Sequence, residues 1–508
     1  MAHLFGRDQR AHRGFGGIST SAAVGVTSML TALVVVPFIL SAVTAAQYGL
    51  WLVLVSAASL LYYSDFGVGT AIVHFASRVR GGGESRTPSD LLSAGILWNT
   101  LAAIVVVPLY VLMAGIYVAH HAPAADLSPG VSAALIGLGA LTVAVLIIRP
   151  FNSALAGAGF LPIEQRFQGI ATVVRLVGTL LVCWLAPSLV LIAVVETLAL
   201  LLPSVLCCIT IVRLRQHRVR WSRTTISTMR YMMRYSLRAF ASSLIDAALL
   251  QGGTLATGIL LAPADATYFS IAYRIFSSVR QLLYWITEPL RPALSRLYAV
   301  NKVEGDRVLQ AMSRTMLAGA TVGCLILILA GPGLIRLWVG GEVPVTSIAA
   351  ASALLLAGLI LNSIHIPFAA AAYAAGKPAA FLLTQLMWLC AFLALVKPLS
   401  ANFGTVGVAA AFAMPLLIVE PLCLFIAKRT LDVSIRQWLW ADVLPVAYLV
   451  LPGTAASATY FLFIHGEMTG LRSIGAAGVF IAGVAAAAIV RPAMMPTAGL
   501  RTIFQTEL

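Results

Sequence analysis

Apolar runs, each about as long as a bilayer is thick, recur from one end of this chain to the other, parted by short connections. They lie near Ser19 to Ser41, Tyr48 to Ala76, Leu91 to Val118, Val131 to Gly157, Gln168 to Ala186 and Leu189 to Val212. A second set lies near Tyr235 to Ala262, Thr267 to Leu294, Met316 to Val339, Thr346 to Ala375, Phe381 to Val396 and Gly404 to Ala427, and a final pair near Ala441 to Ile464 and Ser473 to Val490. Hydrocarbon offers no hydrogen-bond partners, so runs of about twenty apolar residues must be helices that satisfy their own backbones. The expectation is an all-α polytopic membrane protein of about 14 transmembrane helices. With 60% of the 508 residues hydrophobic and only 10% charged, little remains for a soluble domain.

The formal charge of +15 is better explained by topology than by nucleic acid, because the basic residues sit between apolar runs and not on the face of a folded domain. One set of helix ends carries Arg7, Arg10, Arg13, then Arg78, Arg80, Arg86, then Arg166, then Arg213, Arg215, Arg218, Arg220 and Arg223. It continues with Arg296, Lys302, Arg307, Arg314, then Lys377, then Lys428, Arg429, Arg436, and last Arg491 and Arg501. The opposite loops, such as Ala119 to Gly130 and Pro263 to Asp265, carry almost none, with Lys397, Arg472 and nearby Arg336 as exceptions. Positive residues collect in the cytoplasm, so both termini are expected there. The opening arginines lead into a long first span without a convincing cleavage site, so that span is expected to stay. The most basic stretch, Arg213 to Arg238, reads as an anchor to anionic headgroups.

Several function classes fall away. The short outer loops leave little room for the catalytic groups of a membrane polymerase or ligase, so the chain is not expected to be an enzyme. No Gly-rich, lysine-ending nucleotide loop occurs, and no cofactor is expected. Cys183, Cys207, Cys208, Cys324, Cys390 and Cys423 fall within apolar runs without metal-ligand spacing and read as packing residues. His120, His121 and His365 are likewise read as packing or interface residues, and no metal is expected.

A short internal repeat points to two lobes. Ile147, Pro150, Phe151, Ala154, Ala158 and Gly159 match Ile364, Pro367, Phe368, Ala371, Ala375 and Gly376 at one constant offset, with Arg149 opposite Ile366 the mismatch. Six helices per repeat is an even number, which implies parallel repeats about an axis along the membrane normal. The expected organisation is an N-terminal lobe over 1–212, a basic cytoplasmic linker over 213–234, a C-terminal lobe over 235–430, and two further helices with a cytoplasmic tail over 431–508. Substrate is expected between the lobes.

The second span contains Gln47, Tyr48, Gly49, Leu50, Trp51 and then Asp65, Phe66, Gly67, Val68, Gly69, Thr70, Ala71. With Tyr268 to Tyr273 opening the eighth span, Leu337, Trp338, Val339, Gly340 closing the ninth, and Gly376, Lys377 after the tenth, this pattern resembles the polysaccharide transporters of the multidrug/oligosaccharidyl-lipid/polysaccharide exporter superfamily. The resemblance runs from Ser19 to about Thr430. It implies a V-shaped pair of six-helix bundles around a central cavity, in the inner membrane of a bacterium. It implies as substrate an undecaprenyl-pyrophosphate-linked oligosaccharide, such as an O-antigen or exopolysaccharide unit, and as partners a polysaccharide polymerase and a chain-length regulator. The related drug exporters share the fold.

A charge at mid-membrane costs about 2.5–3.5 kcal/mol on insertion scales, so each one needs a cavity or a partner. The ionisable residues within the runs are Asp65, Arg149, Arg175, Glu196, Arg238, Asp246, Arg274, Arg280, Glu288 and Glu420. In the eighth span Arg274, Ser277, Ser278, Gln281, Tyr284, Trp285 and Glu288 recur at helical spacing as one polar stripe, and in the seventh Arg238, Ser242, Asp246, Gly253 and Thr257 do so. Two such faces would line a cavity wall, where guanidinium forks suit a pyrophosphate. Arg274 and Arg280 lead the candidate substrate contacts, with Gln281, Glu288, Arg238, Asp246, Arg149 and Asp65 beside them.

The competing reading pairs these charges internally: Asp246 with Arg274 or Arg280, and Asp65 capping a broken helix or meeting Arg149. Arg175 reads as a snorkelling residue two turns from the cytoplasmic end of its span. Asp246, Glu196, Glu288 and Glu420 are candidates for ion coupling, with no cluster singling one out. Two alternatives to flipping stand beside it, a cation-coupled multidrug exporter and a non-transporting scaffold for glycan assembly. The buried polar stripes count against the scaffold.

Overall fold

The computed structural model describes residues 8–80, 86–214, 219, 223–287, 294, 295, 297, 298, 300–377, 380–463 and 470–490, with side chains undescribed at 8–23, 63, 80, 214, 223, 224 and 286 and at several positions between 234 and 243. Among these residues every regular element is helical. The chain divides into two compact units, Met1–Thr267 and Tyr268–Leu508.

The first unit contains α1 (Asp8–Ala42), α2 (Ala45–Tyr62), α3 (Val68–Arg80), α4 (Pro88–His121), α5 (Pro129–Ala144), α6 (Arg149–Leu155), α7 (Leu161–Leu185), α8 (Leu189–Leu214) and α9 (Arg223–Leu260), and ends early in α10 (Pro263–Thr287). The rest of α10 belongs to the second unit, with α11 (Lys302–Val339), α12 (Val345–Asn362), α13 (His365–Ala374), α14 (Leu382–Ala413), α15 (Leu416–Leu431), α16 (Ile435–Trp438), α17 (Leu444–Phe463) and α18 (Gly470–Val490). Helix α9 packs on α2 and α4 within the first unit, where Tyr117 donates to the Gly258 carbonyl at 3.2 Å. The turn after it is tied to the start of α2 by Thr267, whose hydroxyl donates to the Ala45 carbonyl at 2.7 Å.

Eleven segments among the described residues are long and apolar enough to cross a membrane. Each of the fourteen expected runs nevertheless corresponds to helix. Two of them share the apolar segment Leu382–Leu431, which kinks at Gly404 and turns at Met414 and Pro415; α9 offers only the shorter apolar stretch Leu244–Leu260, and α10 carries Arg274, Arg280 and several hydroxyls. This is a multi-pass membrane protein, and α4 shows why. Its inward residues Asn99, Ala103, Val106, Tyr110, Ala114 and Val118 are buried at helical spacing, while Ile104, Val105, Leu112 and Ile116 on the other side are each 61–67% exposed. A helix that is aliphatic on its exposed side needs lipid there.

Helix starts follow local chemistry. Thr87 opens α4 with a capping box, its hydroxyl accepting from the Asp90 amide at 3.2 Å while the Asp90 carboxylate accepts from the Thr87 amide at 3.1 Å. Asn301 opens α11 by accepting from the amides of Val303 and Glu304 at 3.1 and 3.4 Å.

Among the described residues four spans are broken, one of them the twelfth, at Met414 and Pro415 between α14 and α15. The second breaks at Phe66 and Gly67, with φ of 51° and 74°, between α2 and α3. The fourth breaks between α5 and α6, and the tenth between α12 and α13. The repeat read from sequence marks these last two breaks. In each, a proline (Pro150, Pro367) sits in the first turn after the break, and a left-handed glycine (Gly159 at φ 87°, Gly376 at φ 73°) follows the short helix.

The final helix pair crosses backbone to backbone. A Cβ on Gly453 of α17 would lie 2.6 Å from the Phe480 carbonyl oxygen, and one on Gly483 of α18 would lie 2.6 Å from the Gly453 Cα. Small residues allow this approach, which gives membrane helices their van der Waals contact. Gly453→Val is expected to lower the apparent melting temperature of the detergent-solubilised protein by several degrees, through overpacking of about 1–3 kcal/mol. An unchanged melting curve would contradict this packing.

Candidate functional site

The break in the second span has a specific support. Asp65 is 4% exposed, and its carboxylate accepts from the Gly67 amide at 2.9 Å and the Gly69 amide at 3.4 Å, capping α3 across the left-handed turn. Arg149, the first residue of α6, meets that carboxylate at 3.1 Å, stacks on the Tyr62 ring at 4.2 Å and donates to the Tyr62 carbonyl at 3.2 Å. Trp98 of α4 donates to the Asp65 carbonyl at 3.1 Å, and its neighbour Asn99 donates to the Leu146 carbonyl at 2.8 Å in the fourth-span break. The structure therefore brings Asp65 and Arg149 together as a clamp between two broken spans.

A second ion pair lies between α7 and α8. Arg175 meets Glu196 at 2.6 Å, and the other carboxylate oxygen accepts from the buried Trp51 indole at 2.7 Å. This corrects the snorkelling reading of Arg175. Helix α7 begins at Leu161, before the expected Gln168, and the Arg175 guanidinium is turned to the buried Glu196 carboxylate of the neighbouring helix. Glu196, considered above for ion coupling, is engaged by both an arginine and a tryptophan.

In the second unit, α10 buries Phe269, Ala272, Phe276, Val279 and Leu283. Arg274, Ser277 and Ser278 are half-buried and Gln281 is exposed on the polar side. The two serines donate to the Arg274 carbonyl at 3.1 and 2.8 Å, and so spend their hydroxyls on their own helix. Arg280 is six residues on, about 120° round the helix from Arg274 at about 100° per residue, and turns toward the buried side. Its guanidinium lies 4.8 Å above the Tyr284 ring and within electrostatic reach of Tyr273 and His365. The two arginines read as one pair of contacts thus serve different surroundings.

Beside the tenth-span break is a further polar cluster. Asn362 donates to Glu420 at 3.1 Å, and one helical turn along each partner His365 Nδ1 lies 3.2 Å from Cys423 Sγ. All four residues are buried. Sequence reading separated them because each pair is 58 positions apart, and it took Cys423 and His365 as packing.

The remaining candidates divide. Asp246 is half-buried on α9 in the first unit. Arg238 lies on the same helix, with its backbone described and its side chain outside the described residues, and Glu288 lies outside them altogether. Polar groups that sequence reading missed include Asn362, Asp442, Trp98, Asn99 and Trp388, the last donating to the Phe412 carbonyl at 2.8 Å just before the α14–α15 break. Their signal was available: each is a polar group inside an apolar run.

No protein-family model matches this chain, and no curated protein matches it in sequence. Solved structures do. The lipid II flippase MurJ, in an inward closed conformation, is similar over 94% of this chain and 99% of its own, with a TM-score of 0.65 at 13% identity. An inward-facing multidrug resistance MATE transporter of the MOP superfamily is similar over 81% of this chain and 94% of its own, with a TM-score of 0.59 at 13% identity. A MATE transporter from Vibrio cholerae is similar over 82% of this chain and 99% of its own, with a TM-score of 0.52 at 13% identity. The fold is the one these solved structures share.

The clamp yields a test. Arg149→Ala leaves the nearly buried Asp65 carboxylate without its cation and is expected to cost about 3–5 kcal/mol. Asp65→Asn, which keeps an acceptor for the Gly67 amide and removes the charge, is expected to cost less, and the double variant less than the sum of the two. Additive losses in thermal or denaturant stability would contradict the pairing.

Proposed function

We propose that this chain, folded as the MOP exporters are, flips an undecaprenyl-pyrophosphate-linked oligosaccharide from the cytoplasmic to the outer face of a bacterial inner membrane, with both termini in the cytoplasm. The observation that carries the proposal is the extent of the likeness. It covers 94% of the chain with the flippase but 81–82% with the two MATE transporters, which themselves are covered to 94% and 99%. The two MATE transporters leave nearly a fifth of this chain without a counterpart.

The balance of intramembrane charge supports the same reading. Among the described acids within the spans, Asp65, Glu196 and Asp442 face arginines and Glu420 faces an asparagine, while Asp246 lies half-buried on α9. Arg274 stands on the polar side of α10 beside Gln281. A guanidinium on such a face offers a fork of donors that matches phosphate oxygens, and its planar geometry distinguishes it from lysine. In the proposed cycle the pyrophosphate enters from the cytoplasm and meets Arg274, the lipid tail remains in the bilayer, and rocking of one lobe against the other opens the cavity outward. The protein partners consistent with this substrate are a polysaccharide polymerase and a chain-length regulator.

Arg274→Glu is expected to reduce glycan export at least tenfold while leaving protein abundance and membrane insertion unchanged. Arg274→Lys is expected to restore only part of it, because the point charge remains and the fork is lost. Normal export in Arg274→Glu would remove this residue from the substrate path.

A further inference from the structure

We propose that His365, Glu420 and Cys423 form a binding site for a single borderline-soft divalent cation of the zinc class, which fastens the broken tenth span to α15. The inference rests on this cluster alone and holds whatever substrate the protein carries.

One ligand atom from each residue lies within 4.8 Å of the other two, with Nδ1 and Sγ already 3.2 Å apart. Tetrahedral zinc bonds of about 2.0 Å to nitrogen or oxygen and about 2.3 Å to sulfur place ligands about 3.5 Å from one another, so an adjustment on the order of 1 Å closes the set. Glu420 supplies the independent sign of a missing partner. It is 2% exposed, and its second carboxylate oxygen is buried with no hydrogen-bond partner. An orphaned carboxylate oxygen in the interior is costly, and a metal ion is one of the few things that satisfies it.

Charge and softness narrow the ion. A thiolate and a carboxylate contribute two negative charges and a neutral imidazole none, so a divalent ion neutralises the ligand set, which low-dielectric surroundings favour. Sulfur excludes the hard cations, since sodium, magnesium and calcium prefer oxygen donors. The first oxygen of Glu420, held by Asn362 at 3.1 Å, has the outer-shell partner that orients a metal-ligating carboxylate. Binding drives the thiol proton into solution, with no redox change.

The geometry also assigns a purpose. His365 is the first residue of α13, directly after the turn at Ser363 and Ile364, while Glu420 and Cys423 are one turn apart on α15. In the first unit the equivalent break is held by Arg149 on Asp65. In the second unit the repeat places Ile366 where Arg149 stands, and the metal would take over that fastening role.

Full-length protein purified in detergent, equilibrated with Zn²⁺ and freed of excess, is expected to hold about one equivalent per chain. X-ray absorption at the zinc edge should show one sulfur among nitrogen and oxygen ligands. The Co²⁺-loaded protein is expected to show a thiolate-to-cobalt charge-transfer band that Cys423→Ser abolishes, that Glu420→Gln weakens and that Cys390→Ser leaves intact. Less than one tenth of an equivalent of zinc in the wild-type protein overturns the proposal, whether or not the variants fold. A sulfur-free zinc shell, or a cobalt band that survives Cys423→Ser, overturns it too.

Discussion

Hydrocarbon supplies no hydrogen bonds, and wherever a membrane helix breaks, the freed backbone groups must find side chains or remain unsatisfied at several kcal/mol each. The breaks in this protein are built around that requirement. At the second-span break the amides of Gly67 and Gly69 turn to Asp65, and the carbonyls of Tyr62 and Asp65 turn to Arg149 and Trp98. At the fourth-span break the Leu146 carbonyl turns to Asn99, and ahead of the α14–α15 break the Phe412 carbonyl turns to Trp388. A handful of polar residues, scattered through a very apolar sequence, accounts for where the helices are allowed to bend.

The same residues arrange the charges. Once Asp65 has been committed to two backbone amides, it needs a cation to remain buried, and Arg149 meets that need from a helix that itself starts at a break. Once Glu196 of α8 is fixed by the Trp51 indole, Arg175 can reach it from α7. Intramembrane charge here is largely structural in the first unit. In the second unit, Arg274 and Gln281 stand on the polar side of α10, away from its buried aromatic and aliphatic face.

Much of this architecture was legible in the residues. Apolar length fixes the spans, because bilayer thickness is a harder constraint than helix propensity, and the short repeat around Pro150 and Pro367 marks two breaks that proline and a left-handed glycine impose. The Asp65–Arg149 contact stood among the readings open to Asp65, since an acid ahead of two glycines reads as a cap. Angular position was harder to read. Arg274 and Arg280 share a span and a chemistry, and only counting about 100° per residue separates their faces. The cluster of Asn362, His365, Glu420 and Cys423 was hidden for a different reason: its partners come from helices 58 positions apart, beyond any local spacing rule. The Arg175–Glu196 pair was missed because its partners lie on neighbouring helices 21 positions apart.

The central claim is that this fold carries a lipid-linked glycan across the bilayer. Its most direct test is to deplete the protein in its host and measure the lipid-linked intermediates on each membrane face. Accumulation of a finished lipid-linked oligosaccharide on the cytoplasmic face is the expected result and would identify the glycan as well. No accumulation, with heightened sensitivity to cationic dyes in its place, would contradict the account and point to a drug exporter of the same fold.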